Sequence, residues 1–347
     1  MGLIFSCKNG ILSMMLYDFK WPIYGHQNQL KFLQETISQD KLANTYLFYG
    51  PSGLGKKTIA HYFAKSLFCQ DAKQKPCDKC YHCRMIEKNT FLDFYKIGSR
   101  EELNAENIRE FLRNLSLSKI NADHKLAIIY NTETINIHSA NALLKTLEEP
   151  PANTTIILLA DSIVNLPATV ISRAQLLKFQ SLRRQDMEAW LSNYKLTPEE
   201  KETIINLSFG RPGLALRMMD DDLENFKKSS NFILKLLSSN TFHFMQAVDK
   251  WFAVLKKEYP GYKVYELGIL TKQYLDLMEV FLRDLLWIKL DRPIVNEMYK
   301  DQLVDLSASF SEEKLLKNLL SLNKIKNKLK YNISPQLLWE NLLLSLK

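Results

Sequence analysis

Three groups of residues in this 347-residue chain have the types and spacing to do chemistry. The first is a glycine-rich run, Gly50-Pro-Ser-Gly-Leu-Gly-Lys56, in which Gly50, Gly53 and Gly55 lead to Lys56. Glycines let successive backbone N–H groups curl around phosphate, and a lysine at this spacing reaches the outer phosphates. The second group is Cys69-x7-Cys77-x2-Cys80-x2-Cys83, four of the five cysteines of the chain. Short turns that present four thiolates to one point suit tetrahedral zinc. A closed four-sulfur shell leaves no position for water, so the expected role is structural. His82 offers a spare ligand that the set does not need. The third group is the run Asn141-Ala-Leu-Leu-Lys-Thr-Leu-Glu-Glu-Pro-Pro151, followed some twenty residues later by Ser172-Arg173-Ala174.

The phosphate loop departs from a hydrolysing site. Lys56 is normally followed by Ser or Thr, whose hydroxyl binds magnesium; here Lys57 follows, and Thr58 comes one place late. Gly50 to Thr58 therefore reads as a loop for ATP or ADP that serves Mg2+ poorly. Phosphate-transferring P-loops also place carboxylates nearby, to hold the metal and orient water. The strand expected to carry them ends Ile128-Ile129-Tyr130-Asn131. Glu133 follows, two residues too far along. The arginine expected from a lid over the γ-phosphate is replaced as well, with Gly213 in its place. Three catalytic parts are degraded together, which argues for lost hydrolysis rather than one tolerated change.

The elements that must position these groups follow from the apolar pattern. Thr45–Tyr49, Asp93–Ile97, Lys125–Tyr130, Thr154–Ala160 and Leu176–Phe179 are short apolar runs. Helical stretches separate them, Ile59–Leu67, Asn104–Leu115 and Ser139–Leu147 among them. Such an alternation predicts a parallel sheet covered on both faces. After Gln180 the strand signals stop. Thr197-Pro-Glu-Glu200 predicts a capping box, and Gly210-Arg-Pro-Gly213 punctuates two short helices. The rest is leucine-rich and helical. Asn332-Ile-Ser334-Pro335 opens the last helix, on which Leu338, Leu342 and Leu346 form an apolar stripe. The expected layout is an extension over 1–22, an α/β module over 23–180 with a zinc insertion at 69–83, a helical lid over 181–224 and an all-helical domain over 225–347.

Composition excludes some classes. Hydrophobic residues make up 46% and charged residues 24%, which is a globular balance rather than a disordered one. The net charge of +8 favours a polyanionic partner, although a lysine-rich surface alone gives the same number. No apolar run is long enough for a membrane helix, and a cytoplasmic protein is expected. The start, Met1-Gly-Leu-Ile-Phe-Ser6, fits the short N-myristoylation pattern, and Met14 and Met15 are alternative starts.

Taken together, Tyr24-Gly25-His26-Gln27, the phosphate loop, the cysteine insertion, Asn141–Pro151, Ser172-Arg173 and the Asn332–Leu346 ending resemble the bacterial clamp-loader subunits of DNA polymerase III. The resemblance covers nearly the whole chain. It implies an AAA+ P-loop module with a small lid, an adenine pocket near Tyr24–Gln27 and a C-terminal collar that joins subunits into a hetero-pentameric ring. The implied partners are gamma/tau and delta subunits, the sliding clamp and primed DNA. The motor branch, gamma/tau, keeps its Asp-Glu pair and lid arginine; the delta-prime branch commonly loses them, as here. In that branch the Ser172-Arg173 pair would act on ATP bound by the neighbouring subunit, Arg173 as an arginine finger. Ala174 stands where the family has Cys. The resemblance thus implies no ATPase activity of the chain's own, within a holoenzyme whose chemistry is nucleotidyl transfer. An active gamma-type ATPase, with Glu133 and Thr58 in displaced roles, is the alternative. A zinc-dependent nucleic-acid binder is a third reading, resting on Lys73, Lys75, Lys79, Tyr81 and Arg84.

Overall fold

The computed structural model describes residues 17–346 apart from 100, 101, 119, 165, 221, 222, 240, 263, 295, 297, 298 and 330–332. The myristoylation pattern, the alternative starts and Asn332 lie outside the described residues. The chain forms two compact units: 1–193 with Gly210–Gly213, and Tyr194–Phe209 with Leu214–Lys347. The segment 181–224, expected as a lid, is thus shared between the two.

The first unit is built on five parallel strands: β2 (Thr45–Tyr49), β4 (Phe94–Ile97), β5 (Lys125–Ile129), β6 (Thr154–Ala160) and β7 (Gln175–Lys178), in the order β4-β5-β6-β2-β7. Each strand expected from the sequence is present within one residue. A strand turns alternate side chains to opposite faces, and here both faces are apolar. Tyr46, Phe48, Leu126, Ile128, Ile157 and Leu159 enter one core, with α1 (Gln27–Ser38) and α2 (Lys56–Phe68). Leu47, Ala127, Ile129, Ile156 and Leu158 enter the other, with α4 (Ala105–Ser116) and α5 (Ile137–Glu148). Asn104 and Asn136 cap α4 and α5 by accepting the N–H groups of Asn107 and Ser139.

The expected boundary after residue 22 does not hold. The short strand β1 (Asp18–Phe19) pairs with β3 (Gln74–Lys75) in a separate two-stranded sheet. Trp21 is buried, and its indole N–H donates to Ser66 Oγ at 2.8 Å. The chain from Tyr17 is therefore part of the module: a buried tryptophan with a satisfied N–H is an anchor, not a tail. The module closes with α3 (Tyr81–Glu87), the short α6 (Ala168–Ile171) and α7 (Arg184–Leu191).

Among its described residues, every regular element of the second unit is a helix. It contains α8 (Pro198–Ser208) and most of α9 (Pro212–Asp220), then α10 (Leu223–Ser238), α11 (Thr241–Glu258), α12 (Val264–Lys289), α13 (Lys300–Ser307), α14 (Glu312–Lys328) and α15 (Pro335–Leu346). Thr197 and Glu200 form the expected capping box, with Pro198 opening α8. The stripe of Leu338, Leu342 and Leu346, read as too apolar for a free surface, is covered by the unit itself. All three are buried with Trp339 in one core that also takes in Phe244, Phe252, Phe281 and Leu322. Among the described side chains of α15, the exposed leucines are Leu337 and Leu344, seven residues apart and so on one side of the helix. Leu316 and Leu320 are exposed on neighbouring α14.

Candidate functional site

The carboxyl ends of β2, β5 and β6 meet beneath the glycine loop, the place where open parallel sheets bind ligands. Gly50, Gly53 and Gly55 all have positive φ, and the loop runs directly into α2. Gly50 has no alternative, since a Cβ there would lie 2.1 Å from the Phe179 carbonyl oxygen. The segment Tyr24–Gln27 packs beside the loop. His26 Nε2 is 3.2 Å from the Leu54 carbonyl, its ring lies edge-on to Phe179 at 5.0 Å, and burial lowers its pKa.

Lys56 is buried, and its ammonium is turned onto the protein. It donates to the carbonyls of Gly50 and Pro51, the latter at 2.8 Å, and lies 3.2 Å from Asp161 Oδ1 at the end of β6. Asp161 in turn donates its backbone N–H to Glu133 Oε2 at 3.1 Å. Glu133 sits on a single 3-10 turn, Thr132–Thr134, and is buried. Its carboxylate therefore faces the end of β6. Asp161 carried no sequence signal as a partner of Lys56, because the contact spans 105 positions.

Lys57 and Tyr130 occupy the positions where a hydrolysing P-loop puts its magnesium hydroxyl and first carboxylate. They meet: the Lys57 ammonium lies 5.1 Å from the centroid of the Tyr130 ring. Burial raises the pKa of the Tyr130 phenol, so it stays neutral. Thr58 is exposed one residue along, and a helix turns about 100° per residue, so it leaves α2 in another direction from Lys57. Asn131 has a left-handed backbone and spends its side-chain amide on the Gly98 carbonyl at 2.8 Å. Gly213 lies on the loop itself, its N–H donating to the Gly53 carbonyl at 2.8 Å. A Cβ at Gly213 would stand 3.0 Å from Gly53 Cα, so an arginine could not take this position without moving the turn.

Arg173 follows α6 at the surface, and Ser172 beside it is exposed. The guanidinium is held from three sides. Nε donates to Glu148 Oε1 at 2.7 Å and Nη2 donates to the same oxygen. Nη1 donates to the Thr169 carbonyl at 2.8 Å. Glu148 belongs to the Asn141–Pro151 run at the end of α5, so the two sequence motifs meet in space. Sequence reading named both motifs and missed their contact. Ala174 packs against the core on that face of the sheet.

The four cysteines converge. Their sulfurs lie within 4.8 Å of one another, near the spacing of about 3.8 Å that zinc–sulfur bonds of about 2.3 Å impose on a tetrahedron. Backbone N–H groups point at the sulfurs: Cys77 N–H at Cys69 Sγ, Cys80 N–H at Cys77 Sγ and Cys83 N–H at Cys80 Sγ, at 3.3, 3.3 and 3.4 Å. Burial raises the pKa of the Cys69 and Cys83 thiols. At Cys80 burial also pushes up, but hydrogen bonds from the Gln70 and Cys83 backbone outweigh it and bring the thiol to about 7. Crowded sulfurs that cannot all ionise alone are a donor set that one divalent cation satisfies. His82 is engaged elsewhere, its Nδ1 lying 2.9 Å from the Phe68 carbonyl. Lys65 ties the insertion to α2 through Asp78 at 2.6 Å and Glu87 at 2.8 Å. Of the cations named around the cysteines, Lys73, Lys79 and Arg84 are exposed with Tyr81, while Lys75 Nζ lies over the Tyr17 ring.

A family model described as DNA polymerase III, delta subunit, matches residues 25–183. The chain is 27% identical to DNA polymerase III subunit delta' of Bacillus subtilis over 328 residues, 92% of this chain and 95% of the relative. It is 34% identical to subunit gamma of Buchnera aphidicola from Acyrthosiphon pisum, over 52% of this chain and 50% of that one. Among solved structures, a gamma-subunit-related protein of Thermotoga maritima aligns at a TM-score of 0.44 and 16% identity, over 86% of this chain and 99% of that one.

One zinc per chain is expected on Cys69, Cys77, Cys80 and Cys83. Metal analysis of protein purified without added zinc should find it, and replacing Cys80 and Cys83 with Ser should lower both metal content and melting temperature. Unchanged values for that variant would remove the site.

Proposed function

With its place in the DNA polymerase III clamp-loader family of delta-prime, gamma and tau as the premise, we propose that this chain is a delta-prime-type subunit that does not hydrolyse ATP itself. It completes a neighbour's ATP site with Arg173 and helps to load the sliding clamp on primed DNA in the cytoplasm. The observation that carries this is the pairing of Lys57 with Tyr130, where metal-binding groups belong, in a chain that keeps Arg173 at its surface. Arg173 donates to Thr169 and Glu148, both of the module's own surface, and Glu148 is half exposed. A phosphate oxygen with its larger charge competes well for a guanidinium held in this way. The gamma-type motor remains the second reading, because Asp161 and Glu133 bring carboxylates to the strand ends beside Lys56.

The purified chain is expected to turn over ATP negligibly; rates in the ordinary enzyme range of about 1–10³ s⁻¹ would favour the motor. In a ring with gamma-type and delta-type partners, Arg173→Ala should leave assembly intact and lower ATP hydrolysis and clamp loading. Arginine fingers are worth about 10³–10⁵ in rate where they have been dissected, and one site among several in a ring dilutes the bulk effect. Full clamp loading with Arg173→Ala would reject the finger.

The helical unit is the proposed collar. The leucines that suit a subunit contact are the exposed Leu337 and Leu344, rather than the buried Leu338 stripe. Deleting the last helix would remove Trp339 from the core and so report on folding. Replacing Leu337 and Leu344 with Glu should instead keep the melting temperature and weaken ring assembly on size exclusion. A ring that elutes unchanged would count against this face.

A further inference from the structure

The phosphate loop keeps the backbone of a phosphate cradle and lacks the groups for its usual metal. Of the groups that hold magnesium in a hydrolysing P-loop, the hydroxyl is replaced by the Lys57 ammonium and the carboxylate by the Tyr130 phenol. An ammonium has no lone pair to give and repels a divalent cation. Thr58 leaves the helix about 100° away. The two carboxylates near the loop have other work. Asp161 lies 3.2 Å from the Lys56 ammonium, and Glu133 accepts the Asp161 N–H at 3.1 Å. The cradle itself is retained: Gly50, Gly53 and Gly55 keep their positive φ, and the loop still opens onto the start of α2, a helix of 13 residues.

Charge explains how such a loop keeps its ligand. A magnesium ion bound by one aspartate brings a net single positive charge to the phosphates. Lys57 alone brings the same charge, from a side chain exposed to solvent and resting against the aromatic ring that replaces the aspartate. The substitutions at 57 and 130 therefore compensate one another, where each alone would leave the site over- or under-charged.

We propose that this P-loop binds a nucleoside polyphosphate, ADP or ATP, free of divalent metal, with the Lys57 ammonium in the electrostatic role of the magnesium ion. The assignment concerns the chain's own loop and is independent of what Arg173 does.

Titration calorimetry of the full zinc-loaded chain with ADP and with ATP tests it. Magnesium is removed by passing the buffers over a chelating resin, with no chelator added, so that the cysteine site keeps its metal. Binding without magnesium should be as tight as with millimolar magnesium, or tighter. Lys57→Thr should weaken metal-free binding on the order of tenfold or more, the worth of one hydrogen bond to a charged group. Lys57→Arg, which keeps the charge, should bind like the parent. Zinc content and melting temperature of each variant confirm folding, which an exposed position such as Lys57 favours. Three results overturn the proposal: binding that requires magnesium, binding of neither nucleotide in either buffer, or metal-free binding by Lys57→Thr as tight as the parent's.

Discussion

A buried ammonium at the head of the sheet sets the conditions for the module that carries the glycine loop. Lys56 cannot be left without partners inside the protein, where an unpaired charge costs several kcal/mol or more. Its partners come from the loop itself, through Gly50 and Pro51, and from Asp161 at the end of β6. Asp161 is fixed by Glu133, on the turn that follows β5. One cation thus ties together the exits of three adjacent strands. The same constraint explains Gly50, whose backbone must come against Phe179 for the loop to turn back over the sheet. It also explains why Glu133, though acidic and near, makes a poor water-polarising base: its carboxylate is buried and spent on holding Asp161.

Much of this architecture was legible in the residues. Apolar runs bounded by turn residues located all five strands of the main sheet, because a strand buried on both faces has a continuous apolar signature. The capping box at Thr197 was equally direct, since its chemistry is local. Three things were not legible. The β1–β3 pair has only two residues per strand, too short for any period to appear, and so Tyr17–Pro22 read as an extension. The contacts Lys56–Asp161 and Arg173–Glu148 link residues far apart in the chain, and only the fold brings them together. The Leu338 stripe read as a covered face, with a partner and the helix's own domain equally open as its cover, because periodicity tells that a helix face is covered, not by what. Trp339 and the rest of the helical core cover it.

The Glu148–Arg173 contact links the two most characteristic runs of the chain. Both side chains are partly exposed, and exposed ion pairs contribute only about 0.2–1 kcal/mol. That is too little to lock the guanidinium and enough to orient it. A free arginine samples many rotamers and loses that freedom on reaching a phosphate. One already held by Glu148 and the Thr169 carbonyl has lost much of it beforehand. If Arg173 is the proposed finger, the pair acts in the direction of readiness rather than inhibition.

Under the proposed function, the residues around the chain's own loop stand apart from those at its surface. Residues aimed at its own loop have drifted together: Lys57 against Tyr130, Gly213 against Gly53, Asn131 onto Gly98. Each replacement is satisfied by a specific neighbour, which is not the pattern of random decay, where orphaned polar groups would be expected. The residues aimed outward, Ser172 and Arg173, stay polar and at the surface. On the proposed reading, a loop left for binding beside an arginine held at the surface is the arrangement a non-hydrolysing member of a ring requires. It must hold its own shape constant while the chemistry takes place across the boundary.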